Sequence, residues 1–323
     1  MQLHRLKALA WSALIVAQLS CSNAALAERV EPNEWLNRMG AAVQTTSYEG
    51  TVIRIQNGKA EALKVVHTVS DGVIRERVVA QEGDGLEIIR NGNEVHCILP
   101  DRKSVLVEEW DDQSTLFSTL PSSDVRFGSE YDVSIIREER VAGRRAVLIA
   151  IRPHDDYRYG HRLWLDLETA FPLQTKLVGD DGSTLEQVKF ADIKLNQPIA
   201  LSALAPSVNT ENYRWLTQPS RHISHDIETP WRSDDLPPGF RALSTHGEKM
   251  PGSDEVTTHI LFSDGLANVS VFVAPADQNT AEGPSRVSGS NSYSALVDGY
   301  RVTAVGEVPA MTVRQIATTM TLR

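Results

Sequence analysis

The sequence predicts a mainly β protein (α+β, with few helices) in two domains, and three observations carry that prediction. Seven Asn-Gly or Asp-Gly pairs punctuate it: Asn57-Gly58, Asp71-Gly72, Asp84-Gly85, Asn91-Gly92, Asp181-Gly182, Asp264-Gly265 and Asp298-Gly299. Such pairs accept the positive φ angles of tight hairpin turns, whose twist matches the flanking strands. The runs between them are rich in Val, Ile and Thr with partial alternation, the period of a strand with one face buried. Finally, 323 residues exceed one ordinary domain and are comfortable for two.

The first 27 residues stand apart. His4, Arg5 and Lys7 precede an apolar run from Ala8 to Leu19, and Ala25-Leu26-Ala27 follows with small residues where a signal peptidase reads. This is the layout of a secretory signal, and the run is too short to span a bilayer. Cleavage after Ala27 is expected. Lipidation at Cys21 is the competing reading, but Gln18 stands where that processing site wants Leu or Val. Cys97 then remains as the one thiol of an exported chain, read as a buried strand residue rather than a reactive one.

Six strands are expected between residues 51 and 109: TVIRIQ, ALKVVHTV, VIRERVVA, LEIIR, EVHCIL and SVLVEE. Their hairpin spacing argues an antiparallel meander. Five more runs are expected from Val133 to Leu195, completing one large antiparallel sheet. Asn33 would cap a helix with Trp35, Leu36, Met39, Ala42 and Val43 on one stripe. A second short helix carries Val313, Ile316, Ala317 and Met320. Pro206, Pro219 and Pro230 mark residues 203–230 as an interdomain connection, with a helical turn expected near Tyr213 and Trp215. Strands resume in TTHILFS, NVSVFVA and YRVTAVGEV, whereas the Gly/Ser-rich stretch 282–294 reads as a mobile loop.

Composition narrows the function. The chain has 32 Lys and Arg against 42 Asp and Glu, a net charge of −10, and loss of Arg5 and Lys7 with the signal makes it more acidic still. That balance argues against nucleic acid, whose phosphates draw on clustered basic residues. No Gly-x-Ser-x-Gly, Gly-rich phosphate loop or His-Glu-x-x-His occurs. His222, His225 and Asp226 fall in the connection, where nothing would hold metal ligands rigidly. His154, Asp155, Asp156 and His161 read as turn polarity. No catalytic residue, metal site or cofactor is assigned. If the sheet curls into an incomplete barrel, its concave side becomes an apolar trough able to hold an acyl chain. Periodicity leaves open whether the first helix and the 111–121 loop fill that trough instead.

At this point a resemblance emerges. WLNRM with SYEGT (Trp35 to Met39, Ser47 to Thr51), RVAGRRAVLIAIRP (Arg140 to Pro153), YRYGHRLWLD (Tyr157 to Asp166) and FPLQTKL (Phe171 to Leu177) recur in order with LPPGF (Leu236 to Phe240), FSDGLANVSVF (Phe262 to Phe272) and VGEVP (Val305 to Pro309). Over nearly all of the exported chain this resembles the MucB/RseB family, periplasmic regulators of an envelope-stress sigma factor. The resemblance implies a signal peptide (1–27), a LolA-like antiparallel half-barrel with covering helices (28–202), the connection (203–230) and a smaller C-terminal sheet-and-helix domain (231–323).

It also implies a periplasmic protein that binds the periplasmic region of a single-pass anti-sigma factor of the MucA/RseA type and shields it from proteolysis. Lipid or lipopolysaccharide fragments would release the complex, through a change in domain orientation. A lipid or lipoprotein carrier of LolA type is the alternative, which the second domain would not require. Candidate lipid-cavity residues are Leu106, Phe117, Leu120, Ile149, Leu163 and Trp164, with the choice of strand face left open. Candidate partner contacts are Asp264, Gly265, Tyr300 and Arg301, although Asp264-Gly265 reads equally as a hairpin turn. Self-association into a homo-oligomer stays open.

Overall fold

The computed structural model describes residues 30–109, 116, 120, 129–217, 222–224, 228–249, 256–276, 281–287 and 289–323. The signal segment, Phe117, His225 and Asp226 lie outside the described residues. The chain opens with helix α1 (Pro32–Thr45), which begins at Pro32 rather than being capped by Asn33. Proline suits a first helical position because its missing N–H would have no intrahelical acceptor there. The expected stripe is the buried face: Trp35, Leu36, Met39 and Ala42.

Eleven strands follow: β1 (Tyr48–Gln56), β2 (Lys59–Ser70), β3 (Val73–Ala80), β4 (Glu87–Asn91), β5 (Glu94–Leu99), β6 (Ser104–Glu109), β7 (Tyr131–Val141), β8 (Arg144–Pro153), β9 (Gly160–Asp166), β10 (Pro172–Val178) and β11 (Thr184–Leu195). They form one antiparallel sheet in which β1 and β11 join the two meanders. At Asn57-Gly58 and Asp71-Gly72 both residues have positive φ, as tight hairpins require. A twelfth strand, β12 (Arg214–Thr217), replaces the helical turn expected near Tyr213 and Trp215. It runs parallel to β6 and occupies the far edge of the sheet. Sequence reasoning missed it because four residues carry no periodicity. The sheet stays open, with β12 and β7 at its edges.

One face of this sheet carries a large part of the main apolar cluster, including Val52, Val65, Val78, Val188 and Phe190. Alternation fixes which residues share it. Across β2 to β6 a row runs Val65, Val78, Ile88, Cys97 and Leu106. Beside it runs a polar row, Tyr48, His67, Glu76 and Arg90, every member at most 3% exposed. His67 Nδ1 lies 2.7 Å from Glu76, and the Tyr48 ring stacks on the imidazole at 4.8 Å. Gly50 is the glycine of SYEGT because a Cβ there would run into the Asp192 carbonyl and lie 3.2 Å from the Phe190 ring.

The C-terminal part adds β13 (His222–Ser224), β14 (Trp231–Ser233), β15 (Arg241–Lys249), β16 (Val256–Ser263), β17 (Asn268–Pro275), β18 (Gly283–Val287), β19 (Ser290–Val297), β20 (Tyr300–Gly306), α2 (Ala310–Thr318) and β21 (Met320–Leu322). Seven strands form an antiparallel sheet ordered β13-β15-β16-β17-β20-β19-β18, and β14 pairs with β21. The 282–294 stretch is therefore not a loop: it supplies β18 and the start of β19, paired antiparallel. Its polarity fits an edge hairpin, and Pro284 is tolerated because β18 is the sheet edge. Val313, Ile316 and Ala317 of α2 are fully buried against Val271, Val302 and Ala304. Met320, expected on that helix, is buried instead in β21.

Candidate functional site

Two places on the molecule combine burial, charge and a meeting of the two domains. The first is a cavity of about 230 Å³ over the apolar face of the large sheet. Leu63, Val78, Ala80 and Ile88 from β2 to β4 and Val188 from β11 line it, closed over by Leu116. Arg54, Glu61 and Glu186 stand around it, together with Glu307, which follows β20 in the C-terminal domain. Arg54 Nε lies 3.4 Å from Glu186, and Gln56 donates to the same carboxylate at 2.8 Å. Burial, then the neighbouring Glu186 carboxylate, pushes Glu307 above the usual carboxylate range. Glu307 also lines two further cavities between the domains, one with Tyr159 and Asn291 and one with His161 and Leu266.

The second place is a buried ionic junction. Arg158, between β8 and β9, and Asp264, in the β16–β17 turn, have no exposed side-chain surface. Arg158 Nη1 donates to Asp264 Oδ2 at 2.8 Å, Nε to Asp155 at 3.0 Å and Nη2 to the Pro238 carbonyl at 2.5 Å. Tyr131 Oη donates to the same Asp264 oxygen at 2.8 Å. The other oxygen, Oδ1, accepts the Leu266 and Ala267 N–H groups and so shapes the turn. The guanidinium lies 5.3 Å from both the Tyr131 and Phe240 rings, close enough for cation–π attraction. Burial, then the Asp264 charge, raises the Tyr131 pKa. Gly239 at φ +79° lets LPPGF approach this site, since a Cβ there would lie 3.0 Å from Glu130. Thr312 bonds the Tyr157 carbonyl at 2.6 Å and Asn291 the Tyr159 hydroxyl at 3.2 Å, adding two contacts between the domains.

The six lipid candidates divide between faces. Leu106 lies on the cavity face by register, as the partner of Cys97, at the β6 end. Ile149 pairs with Leu163, whose partner Thr175 pairs with the cavity-lining Val188, so both are fully buried on the cavity face. Leu120 and Trp164 pack in the main apolar cluster, but Trp164 pairs with Gln174 and so stands on the face opposite Leu163. Phe117 falls outside the described residues. Trp164 donates to Glu139 at 2.5 Å, which holds that carboxylate low.

The four partner candidates are not brought together. Asn268 pairs with Ser263 beside the Asp264 turn, whereas Pro275 pairs with Tyr300 at the other end of β17, about 23 Å along a strand. Asp264 is committed to the junction, and Gly265 supplies the turn at φ 102°. Tyr300 packs edge-on against Trp231 at 5.3 Å, and Arg301 is exposed.

Other titratable groups lie near these two places. His154 binds Asp132 at 3.0 Å and the Ser129 carbonyl at 2.8 Å, which raises its pKa. Burial pushes His161 down to about 4 and the Cys97 thiol up to about 11. Cys97 is half-buried in β5 rather than wholly enclosed. Among the described residues no three His, Cys, Asp or Glu side chains gather as a metal site. Sequence reasoning missed Arg158, Tyr131, Glu186 and Glu307. Arg158 stands within the YRYGHRLWLD block, but its partner lies 106 residues away, and no local pattern records that.

Comparison with known proteins agrees with this two-part architecture. A family model for the MucB/RseB N-terminal domain matches residues 31–208, and one for the MucB/RseB C-terminal domain matches residues 225–321. The sigma factor AlgU regulatory protein MucB of Pseudomonas aeruginosa is 30% identical over 90% of this chain and 90% of its own length. The sigma-E factor regulatory protein RseB of Escherichia coli K12 is 26% identical over 87% of this chain and 88% of its own. A solved MucA/MucB complex from Pseudomonas aeruginosa superposes with a TM-score of 0.68 at 28% identity, covering 90% of this chain and 99% of that one. A crystal structure of MucB alone gives 0.61 at 27% identity, covering 90% and 98%. With both domain models matched in order across most of its length, the chain belongs to the MucB/RseB family.

Proposed function

We propose that the protein is a periplasmic negative regulator of an envelope-stress sigma factor, which binds the periplasmic region of a MucA/RseA-type anti-sigma factor and shields it from proteolysis. The observation that carries this reading is the match over 91% of this chain, through both domains, to a relative solved in complex with the periplasmic part of MucA. A segment without a core of its own would be ordered on docking, so its complex gains affinity only after the ordering entropy is met. In the finer form of the proposal, a lipid or lipopolysaccharide fragment releases the partner. Such a ligand must bind better to the partner-free arrangement, since equal affinity for both arrangements shifts nothing. The apolar cavity, with Glu307 of the second domain beside it, supports a ligand site coupled to domain arrangement.

A carrier of LolA type is the second reading, favoured by the same cavity. One experiment separates the two. Immobilised mature chain, challenged with envelope extract, is expected to retain a single-pass anti-sigma factor and to lose it when lipopolysaccharide fragments are added. Retention of lipoproteins without any anti-sigma factor would replace the regulator with the carrier. Retention of the anti-sigma factor regardless of added lipid would remove the release step alone.

A further inference from the structure

We propose that the cavity takes the single apolar chain of an amphiphile whose head group carries an ammonium, with Glu186 and Glu307 together receiving that ammonium. This deepens the regulatory reading and rests on it only for the idea that a lipid-like ligand acts on the chain. Three features of the site point there.

The floor is wholly aliphatic, so it favours an apolar chain over a sugar or nucleotide. At about 230 Å³ the space falls below the ~300–1,000 Å³ usual for drug-sized ligands, which suits one chain and not a multiply acylated lipid. Around it, among the described residues, three carboxylates (Glu61, Glu186 and Glu307) face one guanidinium, Arg54. That guanidinium is already engaged by Glu186 and by the Gln56 side chain at 3.2 Å. A phosphate head would meet excess negative charge. An ammonium offers three donors and a charge of the complementary sign.

Glu186 and Glu307 line this cavity and the neighbouring one together. Burial, then the Glu186 charge, holds Glu307 above its usual range. An ammonium between them brings a charge of the complementary sign to both carboxyls. Because Glu186 belongs to β11 and Glu307 follows β20, such a head group bridges the two domains.

Calorimetric titration of the mature chain at pH 7 with n-octylammonium, n-octanol and n-octanoate tests this with one chain length and three heads. Octylammonium is expected to bind about tenfold more tightly than octanol, equivalent to ~1.4 kcal/mol, and octanoate more weakly than octanol. The E186Q/E307Q double variant should bring octylammonium down to octanol's affinity. Unchanged octanol binding in that variant reports an intact cavity. Should the double variant lose octanol as well, Glu61→Gln, at an exposed position, decides: a roughly twofold to threefold loss for octylammonium alone supports the assignment, and no change overturns it.

Octanoate binding as tightly as octylammonium, or a preference that survives E186Q/E307Q, overturns it outright. Displacement of octylammonium by an ethanolamine lysophospholipid, but not by lysophosphatidic acid, extends the result to lipid head groups; the reverse order overturns it. Capture of an anti-sigma periplasmic fragment by the same preparation separates the two levels. A fragment bound with no ammonium preference removes this inference and leaves the regulator standing.

Discussion

The two domains meet at two charged contacts built on opposite principles. At Arg158–Asp264 unlike charges are fully enclosed, and every element around them supplies a partner: Tyr131, Asp155, the Pro238 carbonyl and two turn N–H groups. At Glu186–Glu307 two carboxyls adjoin three cavities, and burial with the neighbouring Glu186 charge raises the Glu307 pKa. A satisfied buried network fixes geometry because removing any member strands another. An incompletely neutralised pair leaves geometry negotiable, and its balance moves with pH or with a bound cation. The first contact behaves as the fixed point of the domain arrangement and the second as its adjustable edge.

The strongest way to break this contrast is Arg158→Ala. It leaves the Asp264 carboxylate buried beside Tyr131 and two backbone N–H groups, and should cost about 3–5 kcal/mol. Scanning calorimetry should show the C-terminal part melting earlier than the large sheet. A single transition at the unaltered temperature would mean the junction fixes nothing. Tyr131→Phe removes one hydrogen bond to the same carboxylate while keeping the ring over the guanidinium. A loss of about 1.5 kcal/mol in urea denaturation is expected.

The smallest effect belongs to Glu307→Gln and has a pH signature. Glu307 titrates higher in the folded chain than its ordinary value near 4.5. Its stabilising contribution is therefore complete below that value and lost as pH rises through the raised one. Glutamine keeps a donor towards Glu186 without ionising, so the variant should match the parent at about pH 4 and exceed it by about 0.5–1 kcal/mol at pH 7. His161 has the opposite sign, its pKa being depressed to about 4, so its contribution is lost as pH falls from its ordinary 6.5 towards that value. Comparing Glu307→Gln with the parent at each pH isolates the carboxyl pair from this background.

Much of the scaffold was legible because its determinants are local. Turns such as Asn57-Gly58 and Asp298-Gly299 announce hairpins through backbone conformation alone. The stripe of α1 follows from helical period, and the face of Trp164 against that of Leu163 follows from alternation. What stayed hidden lacks a local cause. Strand β12 takes its structure from β6, far back in the chain, and the 282–294 hairpin is polar because it forms an edge. Asp264 illustrates the limit most clearly. Its turn-forming half, the oxygen that caps Leu266 and Ala267, was readable, whereas the oxygen that meets Arg158 depends on two domains coming together.

The polar row on the inner face bears on how the sheet finds its alignment. Strand pairing can slip by two residues without moving any side chain to the wrong face, so hydrophobic pattern alone does not exclude it. In β2 and β3, such a slip would set Glu76 opposite Val65 or Val69 instead of His67. A buried carboxylate facing valine loses its His67 partner and leaves that imidazole facing an apolar side chain, an outcome more costly than the packing lost. His67 and Glu76 thus act as a registration mark: a costly pair that makes the neighbouring misalignments costlier still.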